Sequence, residues 1–163
     1  MKKILLIPAT SHDIATIYNL AVKIWNYHYV PIIGKEQVDF MLQNMYSEKA
    51  LVEQMQVKKH QFYIVNHDEN TIGYISISGT KDVFIHKFYI DQDVQSKGIG
   101  TDVFNAIKKI NQTAKTYKLT VNRKNFTAIN FYFKNGFKIE SIKDFDIGGG
   151  YIMNDFVMVK TVF

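Results

Sequence analysis

A mixed α/β fold, with a central, mostly antiparallel sheet of about seven strands and helices on both faces, is what this sequence predicts, on three observations. Apolar residues recur at three- and four-residue spacing through the first third of the chain, the period of amphipathic helices. From about residue 61 the period shortens to two, the period of strands. After residue 84 strand-like and helix-like stretches alternate, and the first passage from strand to helix runs through a glycine-bearing loop.

The elements follow in order. Lys3–Ile7 reads as a first strand, stopped by Pro8. Its apolar run of four residues is too short for a signal-peptide core or a membrane span. Thr10, Ser11 and Asp13 supply N-cap chemistry for a helix whose apolar face is Ile14, Ile17, Tyr18, Ala21, Val22 and Trp25. Tyr27–Gly34 reads as an aromatic loop, and Lys35–Met45 and Glu48–Met55 as two short helices. Gln61–Val65 and Thr71–Ser78 are strands joined by the polar turn His67–Asn70, and Phe84–Ile90 is a third strand of this run. The loop Gln95–Gly100 leads into a helix over Thr101–Ile110, with Val103, Phe104, Ile107 and Ile110 as its core face. Lys118–Val121 is a strand and Thr127–Lys134 a helix, placing Gly136 where a helix needs a left-handed terminator. Phe137–Ile142 and Phe156–Val162 close the sheet. With no repeat, low-complexity tract or linker-like shift in composition, residues 1–163 read as one domain.

Composition narrows the function. A chain of 163 residues, 47% apolar and 21% charged, fits one soluble domain. It holds no cysteine, which excludes a disulfide scaffold, a thiolate zinc site and a cysteine nucleophile, and it fits a reducing cytoplasm. The net charge of +5 suits a polyanionic ligand, but no run of basic residues marks a nucleic-acid arm, so neither nucleic acid nor membrane is expected as a partner. His12, His28, His60 and His67 lack metal-ligand spacing, and no metal is expected.

The chemically informative stretch is Phe88–Thr101. A strand enters a loop with Gly98 and Gly100 one residue apart, and the loop opens a helix. Glycines allow close approach of a bulky anion, and a helix start presents unpaired N–H donors at the positive end of its dipole. Lys97 adds a positive charge nearby. A P-loop is excluded because Gly100 precedes Thr101-Asp102, and a dinucleotide fingerprint because position 103 is valine.

Gln95-Ser96-Lys97-Gly98-Ile99-Gly100 resembles the Gln/Arg-x-x-Gly-x-Gly/Ala signature of the GNAT acetyltransferase superfamily. Asn125, Ala128, Tyr132 and Gly136-Phe137 resemble its second signature, at the expected distance downstream. Together with the preceding helices and closing strands, the likeness covers nearly the whole chain. It implies a GNAT-like fold and an acetyl-CoA-dependent N-acetyltransferase. The amides of Gln95, Ser96, Lys97, Gly98, Ile99, Gly100 and Thr101 would hold the cofactor's pyrophosphate. The strand edge Phe88, Tyr89 and Ile90 would pair with the pantetheine arm as an added strand would. Asn125 and Asn130 would bond the same arm, and Tyr132 would protonate the leaving thiolate. Many relatives carry a glutamate on the strand before the loop; Phe84–Ile90 has no acid but holds His86. Arylalkylamine acetyltransferases use a histidine at what looks like the corresponding position, so His86 is the candidate base, with Asp155 or a water chain as alternatives.

The acceptor is a small-molecule amine on this reading. Trp25, Tyr27, His28 and Tyr29 lie in the helix–loop that walls the acceptor site in the family, and Asp155 stands on the last strand. Ile147–Met158 and Met45-Tyr46-Ser47 are similar to the branch that includes bacterial polyamine acetyltransferases, which points to a polyamine or a related primary amine. A protein or peptide amine, and a catalytically silent acyl-CoA-binding module, are the alternatives. A homodimer is compatible with everything above.

Overall fold

The computed structural model describes residues 3–94 and 98–162, so Gln95, Ser96 and Lys97 of the glycine loop lie outside the described residues. The seven strands are β1 (Ile4–Pro8), β2 (Gln61–His67), β3 (Asn70–Ser78), β4 (Asp82–Ile90), β5 (Thr116–Asn122), β6 (Lys138–Gly148) and β7 (Tyr151–Thr161). The helices are α1 (Ile14–His28), α2 (Val30–Ile33), α3 (Lys35–Met45), α4 (Glu48–Gln56), α5 (Ile99–Ile110) and α6 (Phe126–Lys134). The strands form one sheet in the order β1-β2-β3-β4-β5-β7-β6, antiparallel throughout except for β4 beside β5.

Two apolar cores lie on opposite faces of the sheet. Tyr74, Phe62 and Ile64 pack under α1, α3 and α4, against Ile17, Ile24, Trp25, Met41 and Leu51. Ile75, Ile77, Leu119 and Val121 pack on the other face under α5 and α6, against Val103, Phe104, Ile107 and Ile129. Alternating burial of neighbouring β3 residues toward opposite helical layers follows from the two-residue strand period. The entry to α1 is a capping box: Thr10 Oγ1 accepts from the His12 amide, and the Thr10 amide donates to Asp13 Oδ2 at 2.8 Å.

Four details differ from the sequence reading. First, α1 runs on through His28 and is followed by the one-turn helix α2, where an aromatic loop was expected from Tyr27. This phase sends Trp25 inward and leaves Tyr27 62% exposed. Tyr18 is likewise outside, its place on the inner face taken by Ile24. Second, Ile110, read as part of the core face of its helix, ends up exposed at the end of α5. Third, α5 starts at Ile99 rather than Thr101. Fourth, β6 and β7 are both longer than expected and form a hairpin turned by Gly148–Gly150. Because β6 is an edge strand exposed along most of its length, its charged residues carry no apolar alternation to read.

Candidate active site

The parallel pairing of β4 with β5 lasts only from Asp82↔Thr116 to Phe84↔Lys118. Beyond Phe84 the strands diverge, and among the described residues β4 has no strand partner on that side. A second irregularity lies within β4. Its register with β3 passes from Ile77↔Ile85 to Ser76↔Lys87, so His86 is the extra residue of a β-bulge. The bulge reverses the alternation of side chains, and the consecutive residues His86 and Lys87 both face the α1–α4 side.

Two cavities open at this divergence. The first, about 300 Å³, lies between β4, β5, α5 and α6; its walls include Phe88, Ile90, Gly100, Asn125, Phe131 and Tyr132. The second, about 360 Å³, lies on the α1–α4 side; its walls include Trp25, Tyr46, Gln54, Lys87, Met153 and Asp155. Tyr29, His86, Tyr89, Thr120 and Val121 belong to both. The two spaces therefore meet at the gap in the sheet, and a molecule in each would touch there.

The first cavity is floored by the end of α6, and the sequence explains how. The Gly136 amide donates to the Phe133 carbonyl, and the Phe137 amide donates to the Tyr132 carbonyl, both at 3.0 Å. This is the paired bonding of a Schellman stop, which also brings Phe137 against the Tyr132 ring at 5.4 Å between centroids. The Gly136-Phe137 dipeptide thus fixes Tyr132, which is 8% exposed and lines the cavity. Burial, with Tyr29 nearby, pushes the Tyr132 hydroxyl above the usual phenol range and keeps it protonated. Asn125 is the N-cap of α6: Oδ1 accepts from the Ala128 amide at 3.2 Å, while Nδ2 donates to the Tyr29 hydroxyl at 3.5 Å. Asn130 is exposed on α6 and lines neither cavity.

The two loop glycines have different reasons to be there. Gly98, at φ +85°, is the N-cap of α5, and none of the described residues lies within 4 Å of the position a Cβ would take. Its space is open beside the unpaired first-turn amides of α5, which include those of Ile99, Gly100 and Thr101. At Gly100 a Cβ would stand 2.8 Å from Phe131 Cε2, so this glycine allows α5 to close on α6. At the outer end of β4, Lys23 of α1 pairs with Asp91 and Asp93, each at 2.6 Å.

The second cavity is walled by a continuous aromatic group. Trp25 lies 4.7 Å from Tyr29, 5.5 Å from Tyr46 and 5.7 Å from Tyr89, centroid to centroid. The buried Tyr74 hydroxyl donates to that of Tyr46 at 2.8 Å. Asp155, 2% exposed on β7, has its carboxyl pushed up to about 6 by burial, against a smaller opposing effect of the Thr120 hydrogen bond. His86 Nε2 lies 2.7 Å from Ser78 Oγ, and its ring stacks on His60 at 3.7 Å. Burial first, then His60, Lys87 and Lys58, hold its imidazole down at about 4. His86 is therefore neutral at physiological pH and a weak base. Tyr27, exposed, lines neither cavity. Sequence reasoning missed His60, Gln54 and Lys87, which α4, β2 and the bulge bring to the cavity.

Among the described residues no group of His, Cys, Asp and Glu is placed to hold a metal ion, and no helix is long and apolar enough to cross a membrane.

Comparison with known proteins fits this geometry. Residues 29–145 match the acetyltransferase (GNAT) domain family. The chain is 25% identical over 155 residues to a spermidine N(1)-acetyltransferase of Thermoplasma acidophilum, covering 91% of each chain. It is 26% identical over 137 residues to an uncharacterized N-acetyltransferase of Mycobacterium tuberculosis, covering 80% of this chain and 85% of the other. Among solved structures it resembles the PaiA N-acetyltransferase of Thermoplasma acidophilum in complex with coenzyme A, with a TM-score of 0.79 at 24% identity over 98% and 99% of the two chains. A GCN5-related N-acetyltransferase from Rhodopseudomonas palustris superimposes with a TM-score of 0.81 at 18% identity over 99% and 98%.

Proposed function

The chain belongs to the GNAT family of N-acetyltransferases, with acetyl-CoA as donor, and on that premise we propose that its acceptor is the primary amine of a small molecule. The observation that carries this reading is the meeting of two cavities at the divergence of β4 and β5. The donor's pantetheine arm would lie along the unpaired edge of β4 as a further strand, with its pyrophosphate on the amides at the start of α5. The thioester then falls in the gap, between Tyr132 on one side and the acceptor cavity on the other.

Attack proceeds directly, with both substrates bound, since the chain has no cysteine to carry an acetyl intermediate. The amine must first lose a proton. Asp155 is the base in this proposal rather than His86, because a carboxyl titrating near 6 is ionised at neutral pH and still accepts a proton, whereas an imidazole near 4 has little driving force to do so. The cavity assists, since burial and Lys58 lower the ammonium of Lys87 to about 8, and the same environment favours the neutral form of an incoming amine. The nitrogen attacks the thioester carbonyl and the carbon–sulfur bond breaks. The Tyr132 hydroxyl passes its proton to the departing sulfur, and the second proton, shed by the nitrogen as the amide forms, restores the phenol.

A polyamine is the acceptor class favoured by the spermidine-acetylating relative. The two segments singled out in the sequence meet at one cavity, which Met45, Tyr46, Met153 and Asp155 all line. Aromatic faces and a carboxylate are the elements that hold an amine. Spermidine is therefore expected to show at least about a tenfold higher kcat/KM than a lysine-bearing peptide; a peptide preferred over every polyamine would overturn this choice of acceptor.

Asp155 also makes a prediction about stability. Its carboxyl titrates near 6 when folded and at its ordinary 3.8 when unfolded, so the unfolded chain ionises first and the native state loses stability as pH rises toward and through 6. Asp155→Asn is expected to raise Tm at pH about 8, with the advantage vanishing below pH about 4, while kcat/KM falls at least about tenfold. A variant with unchanged Tm at both pH values would show that the carboxylate is better solvated than its burial implies.

A further inference from the structure

Lys87 is a cation placed where an amine-binding cavity would be expected to hold its ligand. Its Nζ lies 4.9 Å from the ring centre of Tyr46 and 5.7 Å from that of Phe62. The path is set by register: Phe62, Ser76 and Lys87 form one cross-strand row, and the small Ser76 leaves room for the lysine stem to cross β3. Among the described residues no carboxylate pairs with Lys87. The groups facing it are Lys58 and His60 beyond α4, His86 on β4 and the Tyr46 ring at the end of α3, and none of them is an anion. Among the described residues, Gln54 Oε1, His60 Nδ1 and Trp25 Nε1, which line this cavity, and Ser76 Oγ in the row itself are buried without a hydrogen-bond partner. The cavity is therefore polarised, with Asp155 on the β7 side and an uncompensated ammonium on the β2–β4 side.

We propose that Lys87 acts as a charge filter on the acceptor, occupying the Tyr46–Phe62 aromatic site so that whatever part of the acceptor lies beside it is neutral or anionic and any further ammonium must lie elsewhere. This rests on the reading of the cavity as the acceptor site. An amine then enters with its reacting nitrogen toward Asp155. Like charges in a half-desolvated space repel strongly, whereas a carboxylate would supply the counter-ion that the protein lacks. A polyamine binds only with its remaining nitrogens turned toward the mouth, where Glu53 is exposed.

The test uses three acceptors with the same five-methylene chain beyond the reacting amine, differing at the far end: n-hexylamine (methyl), cadaverine (ammonium) and aminocaproate (carboxylate). At pH about 7 the wild type is expected to show KM for cadaverine about tenfold above hexylamine, with aminocaproate below both. Lys87→Met should bring cadaverine to within about twofold of hexylamine and move aminocaproate above it. Lys87→Arg, which keeps the charge, should retain the wild-type order. An unchanged order in Lys87→Met, with all three KM values moving by a common factor, would overturn the filter while leaving the transferase reading intact. Binding of acetyl-CoA with no acetylation of any amine would overturn that reading, and the filter with it.

Discussion

Tyr132→Phe is expected to lower kcat by about 100- to 1,000-fold while leaving the Kd for acetyl-CoA within about twofold of wild type. The ring is held by the Schellman stop at Gly136-Phe137 and by contacts to Phe131 and Phe137, and a phenylalanine keeps those contacts. What the substitution removes is one hydroxyl, in a wall shared with the β4 edge where the thioester would lie. Burial keeps that hydroxyl neutral over the working pH range, so its proton is always present to meet the negative charge that develops on sulfur. The loss should therefore fall on kcat, with little change in acceptor KM. Steady-state kinetics with calorimetry on the same preparation separates the two, and a variant that keeps most of its turnover would make Tyr132 a packing residue.

Gly98→Glu is expected to weaken coenzyme A binding by at least about 100-fold. A glutamate at φ +85° costs about 1 kcal/mol or more of backbone strain, yet its Cβ meets none of the described residues within 4 Å, so the protein should still fold. The space it enters is the one opposite the first-turn amides of α5, where the carboxylate would take the donors meant for a pyrophosphate and repel it. Gly100→Val acts differently, since its side chain collides with Phe131 and should lower Tm as well. Calorimetric titration with coenzyme A of a variant with native circular dichroism reads the effect, and unchanged affinity would remove this loop from the donor site.

Much of the architecture was legible because it is local. The switch of period at residue 61, the cap at Thr10 and the stop at Gly136 are each written in a few adjacent residues. The hairpin of β6 and β7 was shortened in the reading because its outer half is exposed on one strand and turns on three glycines. Tyr27 was misplaced for a related reason: whether helix α1 ends before or after residue 27 decides its direction, and no cap residue marks that end. The motif residues Phe88, Ile90, Gly100, Asn125 and Tyr132, proposed for the donor side, could be named from the sequence, and the fold brings them to one cavity. The acceptor side was legible only in part, through Trp25, Tyr29 and Asp155. Lys87 reaches it only because a bulge at His86 reverses the strand's alternation, and simple period-two reading sends Lys87 away from His86. The stacking of His60 on His86, and the chain of aromatic rings from Trp25 through Tyr46 to Tyr74, join residues far apart in sequence.

The central claim is that donor and acceptor meet in the gap between β4 and β5 and that acetyl passes there to an amine. Its most direct test is thiol release from acetyl-CoA by the purified chain across a panel of small primary amines, with mass measurement of the product. The account requires release that depends on both acetyl-CoA and the amine, with one acetyl group on a primary nitrogen for each thiol freed. Tight binding of acetyl-CoA without amine-dependent release from any member of the panel would contradict it, and would leave the chain as an acyl-CoA-binding module.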